Sequence, residues 1–469
     1  MSFTRTETRA LLRLTGPILA TQLAQVGMGT IDTLMSGYVS TRDLAAVAIG
    51  SAVWTPVWLF LAGVMLSLSP AIAGAASAGR RHKVAELLGS GITLGLITGT
   101  LLAIITTTAG YLMPGFVDDQ QTAHTAELYL YAIACAMPAS GIFLAHRFHA
   151  EAVDQAHHVT RIMLAGLVLN VPINAVFIYG WFGLPALGGV GCGIGSAIVV
   201  TLMTIALHLD SRKFRNSESF PILRFPSFSR IPQVLSLAKV GIPIGVAIFF
   251  EVSLFTAIAL FLTDLGPVIV AGHQVALNVS SITFMLPLSL GMALTVRVGH
   301  HLGTHDTVAA KRCAWLGVRL NLILALLNAA VILLGREYIA GIYSPDPAVV
   351  AVGTALLLYA AIFQIPDAIQ IAAAGSLRAY EDTFVVMLIT FIAYWVAGFG
   401  TGWYLAYMLP EPMGAAGFWI GLIAGLGFAA TALLWRLAVI SRRGTTSAAN
   451  IAVNKASGST STPTEQSSL

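Results

Sequence analysis

Long apolar runs broken by short polar junctions recur along the whole chain, near residues 11–38, 44–77, 84–113, 125–147, 159–180, 185–209, 236–263, 268–299, 308–334, 347–377, 384–408 and 413–441. A helix of about 20 apolar residues crosses roughly 30 Å of hydrocarbon, so each run is long enough to span a membrane. The pattern predicts an all-α polytopic membrane protein with twelve transmembrane helices. The longest polar interruption, 210–235, falls at the middle and separates six spans from six. An N-terminal lobe over 1–209, an inter-lobe linker over 210–235 and a C-terminal lobe over 236–441 follow. The Ser/Thr-rich tail over 442–469 has too few apolar groups to offset its ordering entropy and is expected to be disordered.

Charge then sets the orientation. If the junctions are assigned alternately to two sides, only Arg42 and Arg336 of the 25 lysines and arginines fall on one of them. Clusters such as Arg80, Arg81 and Lys83, or Lys311 and Arg312, mark the other side as cytoplasmic by the positive-inside rule, with both termini inside. The polar N-terminus, with Arg5, Arg9 and Arg13, precedes the first run without a small-residue cleavage site, so the first span is expected to be retained.

Composition narrows the function classes. The chain is 57% apolar and 10% charged, and its mean hydropathy of +0.82 excludes a soluble enzyme and a disordered chain. Cys135, Cys192 and Cys313 lack CxxC spacing and read as core residues, which excludes a disulfide framework. His157, His158, His300 and His301 read as solvated loop residues. No phosphate-binding loop is present, so ATP is not the energy source and an ion gradient is expected to be. No nucleic-acid partner is indicated.

The halves also resemble each other weakly. Gly79, Val84 and Ala85 fall on Gly303, Val308 and Ala309, and Gly188, Gly191 and Gly195 fall on Gly414, Gly417 and Gly421. Two pseudo-symmetric six-helix lobes with a cleft between them would provide a substrate path.

Ionisable groups inside hydrocarbon cost about 2.5–3.5 kcal/mol each and are functional candidates. Asp32, Glu251 and Asp367 are each flanked by apolar residues on both sides. Glu251 and Asp367 fall at similar depths, and two carboxylates in a low-dielectric site cannot both stay ionised unless a cation joins them. They must bind Na⁺, hold a proton or face water, and the residue types leave that choice open. Asn170 and Asn174, four residues apart, share one helix face and meet Asp32 if the first and fifth spans pack together; they would be either cation ligands or interhelical hydrogen bonds. Pro366 should kink the helix beside Asp367.

The segments QVGMGTIDTLMSG at 25–37, DLAAVAIG at 43–50, LNVPIN at 169–174, PALGGVGCG at 185–193, GIPIG at 241–245 with Glu251, GHQVA at 272–276, SPDPAV at 344–349 and Pro366-Asp367 together resemble the multidrug and toxic compound extrusion (MATE) family, in its NorM-like bacterial branch. The resemblance implies a secondary active multidrug efflux transporter of the bacterial inner membrane, a monomer with no cofactor and no enzymatic activity. Such antiporters exchange cationic or amphipathic drugs for Na⁺ or H⁺ by alternating access. It implies cation coupling at Glu251, Asp367 and Asp32, with Na⁺ one candidate for the first two, and a first-lobe polar site at Asn170 and Asn174. It further implies that Asp346, Gln274 and Ser51 look towards the substrate cleft. A lipid-linked sugar flippase would want basic residues in its cleft, and an intramembrane aspartyl protease would want two aspartates at one depth and a GxGD motif; the sequence has neither feature.

Overall fold

The computed structural model describes residues 3–211 and 231–457, with side chains as far as Arg442. Twelve helical passes carry the fold, and among the described residues all regular structure is helical. They are α1 (Phe3–Gly37), α2 (Thr41–Ser77, broken between Met65 and Leu68), α3 (Arg81–Leu112), α4 (Gln120–Ala152), α5 (Ala156–Tyr179) and α6 (Gly189–Ser211). The second half comprises α7 (Ile231–Phe261), α8 (Pro267–Gly303), α9 (Thr307–Tyr343), α10 (Pro347–Ala379), α11 (Thr383–Met408) and α12 (Ala415–Ser457). Eleven passes are long and apolar enough to cross a membrane. The twelfth, α1, is 35 residues long but begins with Arg5, Glu7, Arg9 and Arg13 and carries Asp32 near its end, which dilutes its apolar character.

The helices overrun the apolar runs at their polar ends, because a helix that has satisfied its backbone in hydrocarbon propagates cheaply into the interface. Of the expected linker, 212–230 lies outside the described residues. At the C-terminus α12 continues to Ser457, past the boundary at 442 where the composition suggested disorder, and 458–469 lies outside the described residues.

Helix packing repeats from one half to the other. In the first, α1 packs on α5, α2 on α4, α3 on α4, α4 on α6 and α5 on α6; in the second, α7 packs on α11, α8 on α10, α9 on α10, α10 on α12 and α11 on α12. Backbone conformation repeats too. Left-handed residues occur at equivalent junctions, Gly79 (φ 68°) with His305 (φ 60°), Asp154 (φ 60°) with Glu381 (φ 59°), and Gly188 (φ 53°) with Gly414 (φ 54°). The first pair corrects the sequence alignment of that loop: Gly79 corresponds to His305, whereas Gly303 still belongs to α8.

The halves meet at the end that carries the basic clusters. A Cβ on Gly63 of α2 would lie 2.6 Å from Gly245 Cα of α7, and a Cβ on Gly303 of α8 would overlap Gly74 of α2. Ser77 donates to the His300 carbonyl at 2.8 Å, Ser90 donates to Gln233 at 2.8 Å, and Arg297 of α8 pairs with Glu7 of α1 at 2.7 Å. Glycine at these crossings lets backbones approach more closely than any side chain would allow, the device by which helices associate without help from water. His300 and His301 are thus interface residues of a helix end, where the sequence suggested solvated loops: His300 also contacts the Ala152 carbonyl at 2.9 Å. His158, at 2.5 Å from Asp210, likewise sits in the first turn of α5. Cys192 and Cys313 are buried as expected, but Cys135 is exposed.

Candidate functional site

The second half carries a partly open cavity of about 260 Å³. Glu251 from α7 and Asp367 from α10 both line it, so two acids 116 positions apart in sequence share one space because α7 and α10 face each other across the lobe. Gln274, Asn278, Ser280 and Ser281 of α8 add polar atoms, and Phe255, Phe284, Phe363 and Trp419 supply rings.

Helix irregularities concentrate here. Pro366 lies inside α10 directly before Asp367, and α11 is π-helical over Ile392–Phe399 and Tyr404–Met408. The wide turn leaves Trp395 donating its indole N–H to the Phe250 carbonyl at 3.2 Å, one residue from Glu251. Proline and π-turns free or misalign main-chain groups, which is why they recur where a helix must offer something other than an apolar face. Trp419 is fully buried and donates to His273 Nδ1 at 3.2 Å, which fixes the ring against the cavity.

The two acids of opposite halves differ in their partners. Asp32 accepts from Asn170 Nδ2 at 3.0 Å and from Asn174 Nδ2 at 2.6 Å on one oxygen, and from Ser196 Oγ at 2.7 Å on the other. Its two oxygens are met by three donors from α5 and α6. The amides turn their N–H groups to the acid, and both of their buried oxygens, Asn170 Oδ1 and Asn174 Oδ1, are left without a hydrogen-bond partner. Asp367 is 3% exposed, yet its Oδ1 has no hydrogen-bond partner. A buried acceptor left unpaired costs several kcal/mol when ionised, so Asp367 is the acid with unmet bonding capacity.

Gln274, which the resemblance implied to look towards the substrate cleft, lines this cavity. Ser51 does not reach it: it lies in the first half, 3.3 Å from the Tyr129 hydroxyl. Asp346, which the resemblance implied to look towards the cleft, is exposed and caps α10, accepting from Ala348 N at 2.9 Å. An aspartate ahead of Pro347 is well placed to hold the first free N–H groups of a helix, and that local chemistry decides its position.

Sequence reasoning missed several participants. Ser196 follows the glycine-rich start of α6, and Gly195 beside it faces Asn174 so closely that a Cβ would overlap the amide oxygen. Arg378 and Tyr394 are both buried, with Arg378 Nε and the Tyr394 hydroxyl unpartnered. Arg378 lies in the last turn of α10, on the side that the sequence reads as cytoplasmic, yet it is buried. Nothing in a single sequence separates such an arginine from a solvated one. Replacing Gly195 by leucine is expected to overpack the Asp32 site and cost about 1–3 kcal/mol, read as earlier melting of the detergent-solubilised protein.

Comparison with known proteins gives the same answer from outside the molecule. The MatE family model matches residues 17–176 and 243–404, one stretch in each half. The chain is 41% identical over 438 residues to the multidrug resistance protein NorM of Photobacterium profundum, covering 92% of this chain and 95% of that one. Among solved structures, the eukaryotic MATE transporter AtDTX14 superposes with a TM-score of 0.84 at 19% identity, covering 94% of this chain and 99% of that one. A multidrug resistance MATE family transporter of the MOP superfamily, in an outward-facing conformation, superposes at 0.83 with 18% identity, covering 92% and 96%. The chain therefore belongs to the MatE family of membrane transporters and is not an enzyme.

Proposed function

We propose that the protein is a secondary active multidrug efflux transporter that exchanges cationic or amphipathic drugs for Na⁺ or H⁺. The observation that carries this reading is the unpaired Asp367 carboxyl oxygen in a cavity shared with Glu251. Such a group is stable when a cation or proton arrives and unstable when it leaves, which is what a coupling site needs. Rings beside acids also suit an organic cation, through charge and cation–π attraction. Asp32, already satisfied by three donors, is assigned a supporting part, holding the first lobe's geometry together with Asn170 and Asn174.

The lobes, 1–209 and 236–441, would rock about their interface to expose the cavity to either side. In the orientation inferred from the basic clusters, the joined end faces the cytoplasm of a bacterial inner membrane, with both termini inside and a monomer as the working unit. The contacts between Gly63 and Gly245, and between Gly303 and Gly74, support a cytoplasmic end held shut in this conformation.

Dye efflux from preloaded proteoliposomes, with a Na⁺ gradient and a pH gradient imposed separately, tests the proposal. Efflux driven by Na⁺ alone makes the acids a sodium site, and efflux driven only by the pH gradient makes them proton carriers. No efflux under either gradient overturns antiport and returns the lipid-flippase reading to consideration.

A further inference from the structure

A second cluster of ligand-type side chains lies at the basic end, far from the cavity. Glu7 of α1, His301 of α8 and Cys313 of α9 bring a carboxylate oxygen, an imidazole nitrogen and a thiol sulfur within 4.8 Å of one another. We propose that these three residues form a binding site for a borderline-soft divalent cation of the Zn²⁺ class, and that the bound ion bridges the two lobes and holds them together at that end.

Distances favour this chemistry. Tetrahedral zinc with Zn–O and Zn–N near 2.0 Å and Zn–S near 2.3 Å separates its oxygen and nitrogen ligands by about 3.3 Å, and its oxygen and sulfur ligands by about 3.5 Å. His301 Nε2 lies 3.3 Å from Glu7 Oε1 and Cys313 Sγ lies 3.8 Å from Glu7 Oε2, so the carboxylate meets the two ligands through different oxygens and would turn to place one or both on the ion. Glu7 is 4% exposed and Cys313 is fully buried, whereas the His301 side chain keeps 17% of its surface and provides the approach. A fourth position is left for water. A hard cation such as Mg²⁺ prefers oxygen ligands and is a poor match to a thiol and an imidazole.

Arg297 is the competitor. It holds Glu7 through Nη2 to Oε1 at 2.7 Å and Nε to Oε2 at 3.2 Å, and it also reaches His300 Nδ1 at 3.3 Å. The guanidinium therefore keeps a neighbour when the metal takes the carboxylate. Binding releases the Cys313 proton to solvent, the thiolate and the shared carboxylate offset the divalent charge and leave the cluster with the single positive charge of Arg297, and affinity falls as pH drops. Because α1 belongs to one lobe and α8 and α9 to the other, the three ligands converge only while the lobes meet at this end. An ion present at about 100 times its Kd would shift the equilibrium about 100-fold towards that state.

The purified full-length protein, titrated in detergent with Co²⁺, tests the site through the thiolate-to-cobalt charge-transfer absorption. The proposal expects a saturable band in the wild type and in Cys135→Ala, abolished by Zn²⁺, absent from Cys313→Ala and Cys313→Ser, and shifted at least tenfold to higher Co²⁺ in His301→Gln. No band in the wild type, or a band that survives both Cys313 substitutions, overturns it. This arm needs no transport, so its failure leaves the antiport reading untouched. In proteoliposomes Zn²⁺ should slow wild-type dye efflux at least fivefold and leave Cys313→Ala unaffected. Unchanged wild-type efflux at a Zn²⁺ concentration that saturates the site overturns the bridging of the lobes.

Discussion

Exchanging Asp367 for asparagine should slow gradient-driven dye efflux by about 5- to 150-fold, the range set by coupling free energies of 1–3 kcal/mol. The amide keeps the volume of the carboxyl but can neither carry a proton nor neutralise Na⁺, so drug binding and the ion gradient become disconnected. Stability should move the other way. Asp367 lacks a partner on Oδ1, and removing a buried uncompensated charge is neutral or stabilising. The variant is thus expected to melt no earlier than the wild type while losing transport. Binding of dye to the purified variant, followed by fluorescence polarisation at low salt, should persist and should no longer respond to added Na⁺ or to pH. Efflux at the normal rate would remove Asp367 from the coupling step. Loss of efflux with intact ion-dependent dye release would assign the residue to movement of the lobes instead.

The second large effect is expected at the interface between the lobes. Leucine at Gly63 would drive a side chain into Gly245, where even a Cβ meets the opposing Cα at 2.6 Å. Overpacking of this kind costs about 1–3 kcal/mol, and because the clash exists only while the lobes touch at the basic end, it should disfavour that state about 5- to 150-fold. Cys313 reports the change, since it is fully buried where α9 meets Glu7 of the other lobe. In a protein with Cys135 and Cys192 replaced by alanine, maleimide alkylation of Cys313 should accelerate in Gly63→Leu. Gly427→Leu serves as the control, because nothing lies within 4 Å of a Cβ at that position. Equal alkylation rates in the two variants would mean that the glycine crossing does not set the balance between conformations.

Taken together, the two experiments separate the parts of an exchange cycle. In the proposed cycle Asp367 would act on which ligand is bound, and Gly63 on which side is open. A transporter needs these to be linked, because a ligand shifts a conformational equilibrium only by its difference in affinity for the two states.

The membrane helices, their number and their ends were legible in the chain because hydrocarbon allows a spanning segment few alternatives to a continuous helix. Boundaries drawn from apolar runs agree with the folded helices to within a few residues through most of the chain, as at 347–377 against Pro347–Ala379. Asp32, Glu251 and Asp367 were legible for the same reason, since a lone acid stands out against apolar neighbours. What the sequence could not supply was the partner of each. Asp346 and Asp367 are only 21 positions apart, at the start and in the body of one helix, yet one caps its exposed end and the other is buried in a cavity, and the difference lies in whether neighbouring helices cover it.

By itself the sequence determined an all-helical membrane protein of two similar halves with acids held in its interior, because the solvent imposes that pattern on composition and periodicity. Only the tertiary structure decided that Asp32 is satisfied by Asn170, Asn174 and Ser196 while Asp367 is not. The tertiary structure alone also buried Arg378 and drew Glu7, His301 and Cys313 into one cluster. The physical reason is range. Helix formation depends on residues within a turn or two, whereas the state of a buried charge depends on groups that only chain folding brings within bonding distance.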